Sequence, residues 1–237
     1  YAHWFVSGRG IVSLVNVIEG DVHDKVDERA EVQAELEEFL DKKKIEAYVE
    51  VIVSPSFDQA LCVLLQAQSI GPLKPNMVVS GWPSAPRDFT TFARQIRTIH
   101  DLGMSQVILA DHGLPVVPSR IDVWWRGQEN GSLMVILAYL LTQNWMWARA
   151  RIRLIMMRGP NEPESEVEEK LLDLLDAARL DADYLALPHS RFETALKETS
   201  SDADLVMLGF RPPSDEEAES FHTRYARLLE GMPTTMI

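Results

Sequence analysis

Cysteine is almost missing from this sequence: Cys62 stands alone among 237 residues. An internal disulfide needs two cysteines and a cysteine-rich zinc site needs more, so neither is available, and nothing requires an oxidising compartment. The chain reads as intracellular. Long hydrophobic runs are also lacking. The most apolar stretch, Leu133 to Leu141, lies well below the roughly 20 apolar residues that cross ~30 Å of hydrocarbon. It is expected not to enter a membrane. Basic charge is scarce as well, with 23 Lys and Arg against 36 Asp and Glu and a formal net charge of -13. A sequence-independent grip on nucleic acid needs clustered cations to neutralise phosphates, so no nucleic-acid partner is expected.

What is present is an alternation of β-rich and amphipathic segments, with 46% hydrophobic residues to build cores. Strands are expected at Ile11–Val17, Tyr48–Val53, Met77–Ser80, Gln106–Ala110, Ile121–Trp125, Ile152–Met157, Tyr184–Leu187 and Leu205–Leu208. Between them, helices are expected at Glu28–Lys43, Phe57–Gln68, Phe89–Leu102, Leu133–Leu141 with polar caps at Asn130–Ser132 and Thr142–Asn144, Pro163–Ala178, Arg191–Thr199 and Asp215–Leu229. In the first of these Val32, Leu36, Phe39 and Leu40 share a face; Phe89, Phe92, Ala93, Ile96 and Ile99 do so in the third. Such alternation implies an α/β fold, a mainly parallel sheet with right-handed crossovers and helices on both faces.

The chain also repeats itself. "YVEVIVSPSFDQAL" from Tyr48 sets against "YLALPHSRFETAL" from Tyr184, and "MVVSGWPS" from Met77 against "LVMLGFRPPS" from Leu205. Two related halves follow, residues 1–118 and 119–237. Carried backward, the match lays Tyr1 to Phe5 against the tail of the helix ending at Leu141. The first strand and most of the first helix of half one are then expected upstream, in a longer protein. Thr234 to Ile237 has the look of an opening strand.

The strand ends, where α/β sheets usually hold ligands, offer little chemistry. No G-x-G-x-x-G follows a strand and no G-x-x-x-x-G-K-[ST] occurs. "RGQENGS", residues 126–132, could offer backbone amides to an anion, or simply cap a helix. None of the six histidines has a zinc-like partner at i+4. His100-Asp101 reads as surface or capping, and Asp111-His112-Gly113 as either a turn or a catalytic pair. "VSGRG" and "VSGWP" are not nucleophile elbows. Cys62, among Leu61, Val63, Leu64 and Leu65, reads as buried. Glu162, Glu164, Glu166, Glu168 and Glu169 suit a helix N-terminus and a solvated face better than a cation site. Arg149, Arg151 and Arg153 alternate like an exposed strand edge that could meet lipid or another domain, with Trp145 and Trp147 beside it as a docking surface or core pair. No catalytic, cofactor or metal residue is assigned, and no enzyme is expected.

Two stretches become informative together. "LKPNMVVSGW" (Lys74, Pro75, Asn76, then Met77 to Gly81 and Trp82) and "IDVWWRGQENGSLMVILAYLL" (Ile121 to Trp125, with Tyr139 to Thr142 closing the helix) resemble signature segments of the cytosolic C-terminal domain of the cation-chloride cotransporters. "SSDADLVMLGF" and "MPTTMI" are similar to its terminal portion. The resemblance implies two halves like universal stress proteins, in a unit at the cytoplasmic face of the plasma membrane. It also implies a homodimer with a regulatory role, joined to its own transmembrane domain, which carries the ion sites. None of those sites maps onto this chain. The vertebrate phosphorylation segment and the long animal linkers have no equivalent here, so the resemblance is to a compact prokaryotic relative. The alternative is a free-standing nucleotide sensor of the universal stress protein type. Its Gly-x2-Gly-x9-Gly-[Ser/Thr] loop is absent, and Pro83, Pro86, Pro212 and Pro213 stand where amide donors are needed. A small-molecule enzyme on a flavodoxin-like scaffold is a third reading, without an acid-base cluster to support it.

Overall fold

The computed structural model describes residues 1–6, 10–68, 73–85, 88–126 and 128–237. They pack as two compact units, Tyr1–Val78 with Asp88–Gln106, and Val79–Arg87 with Val107–Ile237. Units of packing and repeats of sequence are different divisions, and the boundary at 118/119 concerns the second kind.

In the first unit, helix α1 (Ala2–Val6) precedes strand β1 (Ser13–Glu19), helix α2 (Val26–Lys43), strand β2 (Tyr48–Ser54) and helix α3 (Phe57–Ala67). β1 and β2 pair in parallel from Ser13↔Tyr48 to Glu19↔Ser54. Helix α4 (Phe89–Asp101) starts where the Asp88 carboxylate accepts the Thr90 and Thr91 amides at 3.0 and 3.1 Å. Those bonds satisfy two of the donors a helix start leaves over, and the Thr91 hydroxyl with the amides holds Asp88 below the usual carboxylate range. Phe92, Ala93, Ile96 and Ile99 of α4 are buried, as their spacing predicts. On α2 the outcome differs. Only Leu40 is buried and Phe39 is exposed, because the helix meets β2 along a narrow stripe. Cys62 of α3 is part-exposed rather than buried: Ala60 and Leu65 are the residues that α3 puts inside.

The second sheet has the strand order β3-β4-β9-β8-β5-β6-β7. Its strands are β3 (Met77–Gly81), β4 (Ser105–Ala110), β5 (Arg120–Trp125), β6 (Arg151–Met157), β7 (Asp183–Leu187), β8 (Leu205–Leu208) and β9 (Thr235–Met236). Helices α5 (Gln128–Thr142), α6 (Glu164–Ala178), α7 (Phe192–Ser200) and α8 (Ala218–Leu229) connect or follow them. Pairing is parallel for β5–β6, β5–β8, β6–β7 and β8–β9, and antiparallel for β4–β9. β5 and β8 are the most apolar strands because they lie inside the sheet, where every residue from Ile121 to Trp125 and from Leu205 to Leu208 is buried. The expected α/β class and mostly parallel sheet are found.

Candidate functional site

Asp122 is fully buried in the middle of β5, and a bare carboxylate there would be costly. It is instead paired on both oxygens. The Arg153 guanidinium donates through Nε to Oδ1 at 3.0 Å and through a terminal nitrogen to Oδ2 at 2.6 Å. Ser200 donates its hydroxyl to Oδ2 at 2.6 Å, and Trp124 Nε1 donates in turn to Ser200 Oγ at 3.0 Å. Arg153 also reaches the Thr199 carbonyl at 2.8 Å. Strands β5 and β6 and the end of α7 are thereby tied together.

This corrects the expected arginine stripe. β6 lies between β5 and β7 and is not an edge, Arg149 precedes it, and Arg153 is committed to Asp122, so only Arg151 of the three is an exposed strand residue. At the amino end of β5, Asp204 accepts the amides of Ser119 and Arg120 at 2.6 and 2.9 Å, and Arg120 pairs with Asp202. Burial opposes the Arg120 charge, but the bond to Asp202 and the fields of Asp122, Asp202 and Asp204 outweigh it and raise its pKa. The same Arg120 bond holds Asp202 below the usual carboxylate range.

The carboxyl ends of β5 and β8, where α/β sheets usually hold ligands, carry contacts of the chain's own side chains. The Asn130 amide donates to the Phe210 carbonyl, and Tyr225 donates its hydroxyl to the Gly209 carbonyl at 3.0 Å. Burial raises the Tyr225 pKa, keeping it a neutral donor. A Cβ on Gly131 would collide with the Trp125 ring, and one on Gly209 would stand 3.1 Å from Asn130 Cβ. Arg126 lies 4.1 Å from the Phe192 ring centroid. Of the anion-binding candidate 126–132, Gly127 lies outside the described residues, as does Pro86 of the proline argument. Ser7 to Arg9 of "VSGRG" do too. Pro83 is put to structural use: its carbonyl accepts from His222 Nε2 at 2.7 Å, while Trp82 stacks on the His222 ring at 4.8 Å.

Asp111-His112-Gly113 is a tied turn. Gly113, at φ +85°, donates its amide to Asp111 Oδ1 at 3.0 Å. His112 donates its amide to Thr234 Oγ1 and binds the Met232 carbonyl through Nδ1 at 2.7 Å. Thr234 bonds the Gly113 carbonyl at 2.9 Å. The group anchors the segment entering β9. His100 is exposed on the last turn of α4. Glu162 pairs with Lys170 and accepts the Gly159 amide at 2.9 Å, interactions that lower its pKa and raise that of Lys170. Glu164 and Glu166 occupy the first turn of α6. Among the described residues no group of three or more His, Cys, Asp or Glu is placed to hold a metal ion.

One surface remains distinctive. From Asn130 to Ala148 the sequence carries no charged residue. Yet α5 exposes Ile136 by 54% and Tyr139 by 46%, and Trp145 just beyond it by 82%, while Trp147 is wholly buried. The two tryptophans divide, one into the core and one onto the surface. Helical periodicity could not separate them, because both lie in the turn beyond the end of α5. No described helix is long and apolar enough to cross a membrane.

Residues 1–117 match the family described as SLC12: Solute carrier family 12. Cation-chloride cotransporter 1 of Oryza sativa subsp. japonica is 22% identical over 232 residues, covering 93% of this chain and 22% of that protein. The chain thus spans about a fifth of the curated relatives' length. Among solved structures, the cytoplasmic domain of a prokaryotic cation chloride cotransporter matches with a TM-score of 0.65 at 15% identity, over 96% of this chain and 83% of that one. A universal stress protein from Archaeoglobus fulgidus DSM 4304 matches with a TM-score of 0.62 at 10% identity, over 99% and 89%. The resemblance read from the sequence is upheld, and the fold is shared with universal stress proteins.

Proposed function

We propose that this chain, a relative of the cation-chloride cotransporters, is the cytosolic C-terminal regulatory and dimerisation domain of such a transporter. The observation that carries the reading is the cotransporter match over 93% of the chain, in a protein whose remaining length would hold the membrane domain. On this reading electroneutral, chloride-coupled movement of sodium or potassium belongs to that membrane domain. The present chain lies at the cytoplasmic face of the plasma membrane, is not an enzyme, and assembles as a homodimer. Its two halves, 1–118 and 119–237, are copies of one universal-stress-protein-like ancestor, and the compact linkers suit a prokaryotic member.

The uncharged face of α5 supports self-association. A chain of net charge -13 repels its own copy over most of its surface, so two copies meet at least cost where the exposed side chains are apolar, as Ile136, Tyr139 and Trp145 are, with Arg179 and Asp181 bordering Tyr139. Dimer contacts that differ between transport states would bias which state is populated. The nucleotide-sensor alternative is disfavoured by the Asn130 side chain, bonded to the Phe210 carbonyl, and by the Trp125 ring against Gly131 at the strand ends.

Deleting the domain from the parent transporter and measuring chloride-dependent rubidium uptake, with crosslinking for dimers, tests the reading. Loss of both is expected. Unchanged uptake and dimerisation would remove its basis, and micromolar ATP binding by calorimetry would favour the sensor.

A further inference from the structure

Away from the carboxyl strand ends, the second unit has a cleft of about 280 Å³ between the end of α5, the start of β6 and the turn from α6 into β7. Drug-sized molecules occupy pockets of roughly 300–1,000 Å³, so an occupant of this one is small. Its wall is mixed. Ala150, Ile152 and Leu180 make it apolar in part, while Tyr139, Thr142, Arg179 and Asp181 bring a phenol, a hydroxyl and two charges of opposite sign.

The turn after α6 sets the two charges. Arg179 takes the left-handed conformation (φ 50°, ψ 41°), its amide donating to the Asp176 carbonyl at 3.1 Å and the Leu180 amide to the Leu175 carbonyl at 3.0 Å. A cation is favoured there by the helix dipole, and Lys44 ends α2 in the same way, so the turn alone marks no site. What distinguishes Arg179 is the carboxylate two residues on, at the same cleft.

Neither charge is matched within the chain. Arg120 pairs with Asp202 and Arg227 with Glu193, but among the described residues no ion pair or side-chain hydrogen bond engages Arg179 or Asp181, and none engages the Tyr139 hydroxyl. Thr142 donates its hydroxyl to the Tyr139 carbonyl at 2.7 Å, which leaves its oxygen free only to accept. A purely anionic ligand would be drawn by Arg179 and repelled by Asp181, and a cation the reverse. A ligand carrying both charges suits both residues.

We infer that this cleft binds a small zwitterion, an α-amino acid with an aliphatic side chain. Arg179 and the Tyr139 hydroxyl donate to its carboxylate, Asp181 and Thr142 Oγ1 accept from its ammonium group, and its side chain lies against Ala150, Ile152 and Leu180. The inference stands on the cleft and not on the transporter or dimer reading, although Tyr139 serves the face assigned to self-association as well.

Calorimetric titration of the 237-residue chain with L-valine and L-leucine tests it, each beside its carboxamide, which lacks the anion, and its deaminated acid, which lacks the cation. Saturable binding of at least one of the two amino acids is expected, with both of its analogues about ten-fold or more weaker for the loss of a charge-assisted contact. Arg179→Gln is expected to remove the preference over the carboxamide and Asp181→Asn the preference over the deaminated acid, with unchanged circular dichroism because neither side chain has a partner to lose. No saturable heat from either amino acid would overturn the inference. So would analogues that bind as tightly as the amino acids, or variants that keep the parent's preferences. None of these results bears on the mass of the chain in solution, so the dimer is judged separately.

Discussion

At the scale of residues, the molecule is specified most sharply by Asp122. Its carboxylate has no exposed surface and accepts from Arg153 and Ser200, so removing it strands a largely buried guanidinium. Breaking one side of such a pair costs about 3–5 kcal/mol, and Asp122→Ala is expected to lower stability by that order in urea denaturation. A loss below about 1 kcal/mol would show that Arg153 finds water or another partner. Asp202 makes a different prediction. Its pKa is depressed in the folded chain by the bond to Arg120, so its contribution is complete above the ordinary aspartate value of about 3.9. That contribution disappears as pH falls through the lower folded value. Asp202→Asn is therefore expected to reduce the thermal midpoint at neutral pH and to match the parent at low pH; a gap that persists at low pH would contradict the ion pair. The sequence announced neither group as a partner. An acid inside I-D-V-W-W needs a counterion, which was a readable signal, but Arg153 looked like one of three exposed arginines. Only the β5–β6 register, which sets Arg153 beside Asp122, commits it to that carboxylate.

At the scale of elements, hydrophobic period and punctuation were nearly sufficient. Asp88 before Phe89 marks the start of α4, and the spacing of Phe92, Ala93, Ile96 and Ile99 marks its inner face. Less was legible where position depends on distant chain. The final residues read as a strand, but nothing local says that β9 lies between β8, to which it runs parallel, and β4, to which it runs antiparallel. Met236 and Ile237 are both buried there, and Ile237 exchanges hydrogen bonds with Ile108 at 2.8 and 2.9 Å. Burial of two such side chains is worth about 3–6 kcal/mol. Deleting residues 234–237 should cost at least that in urea denaturation and expose the Ile108 and Val206 amides to rapid exchange. A truncated chain with unchanged exchange at those amides would show that β9 is an ornament of the sheet.

At the scale of the whole molecule, charge and the apolar surface oppose each other. An excess of 13 negative charges disperses the chain, whereas Ile136, Tyr139 and Trp145 expose apolar side chains, which the proposed function assigns to self-association. Composition revealed the first of these and the uncharged run hinted at the second, but which of its residues face outward required the packing of α5 against β5 and β6. The proposed function requires that this domain associate with a second copy of itself. Sedimentation equilibrium of the isolated chain at physiological ionic strength, beside Ile136→Asp, tests it most directly. The account predicts twice the mass of one chain for the parent and one chain's mass for the variant, with unchanged circular dichroism. A parent that stays monomeric at every concentration, or a variant that dimerises equally well, would contradict it.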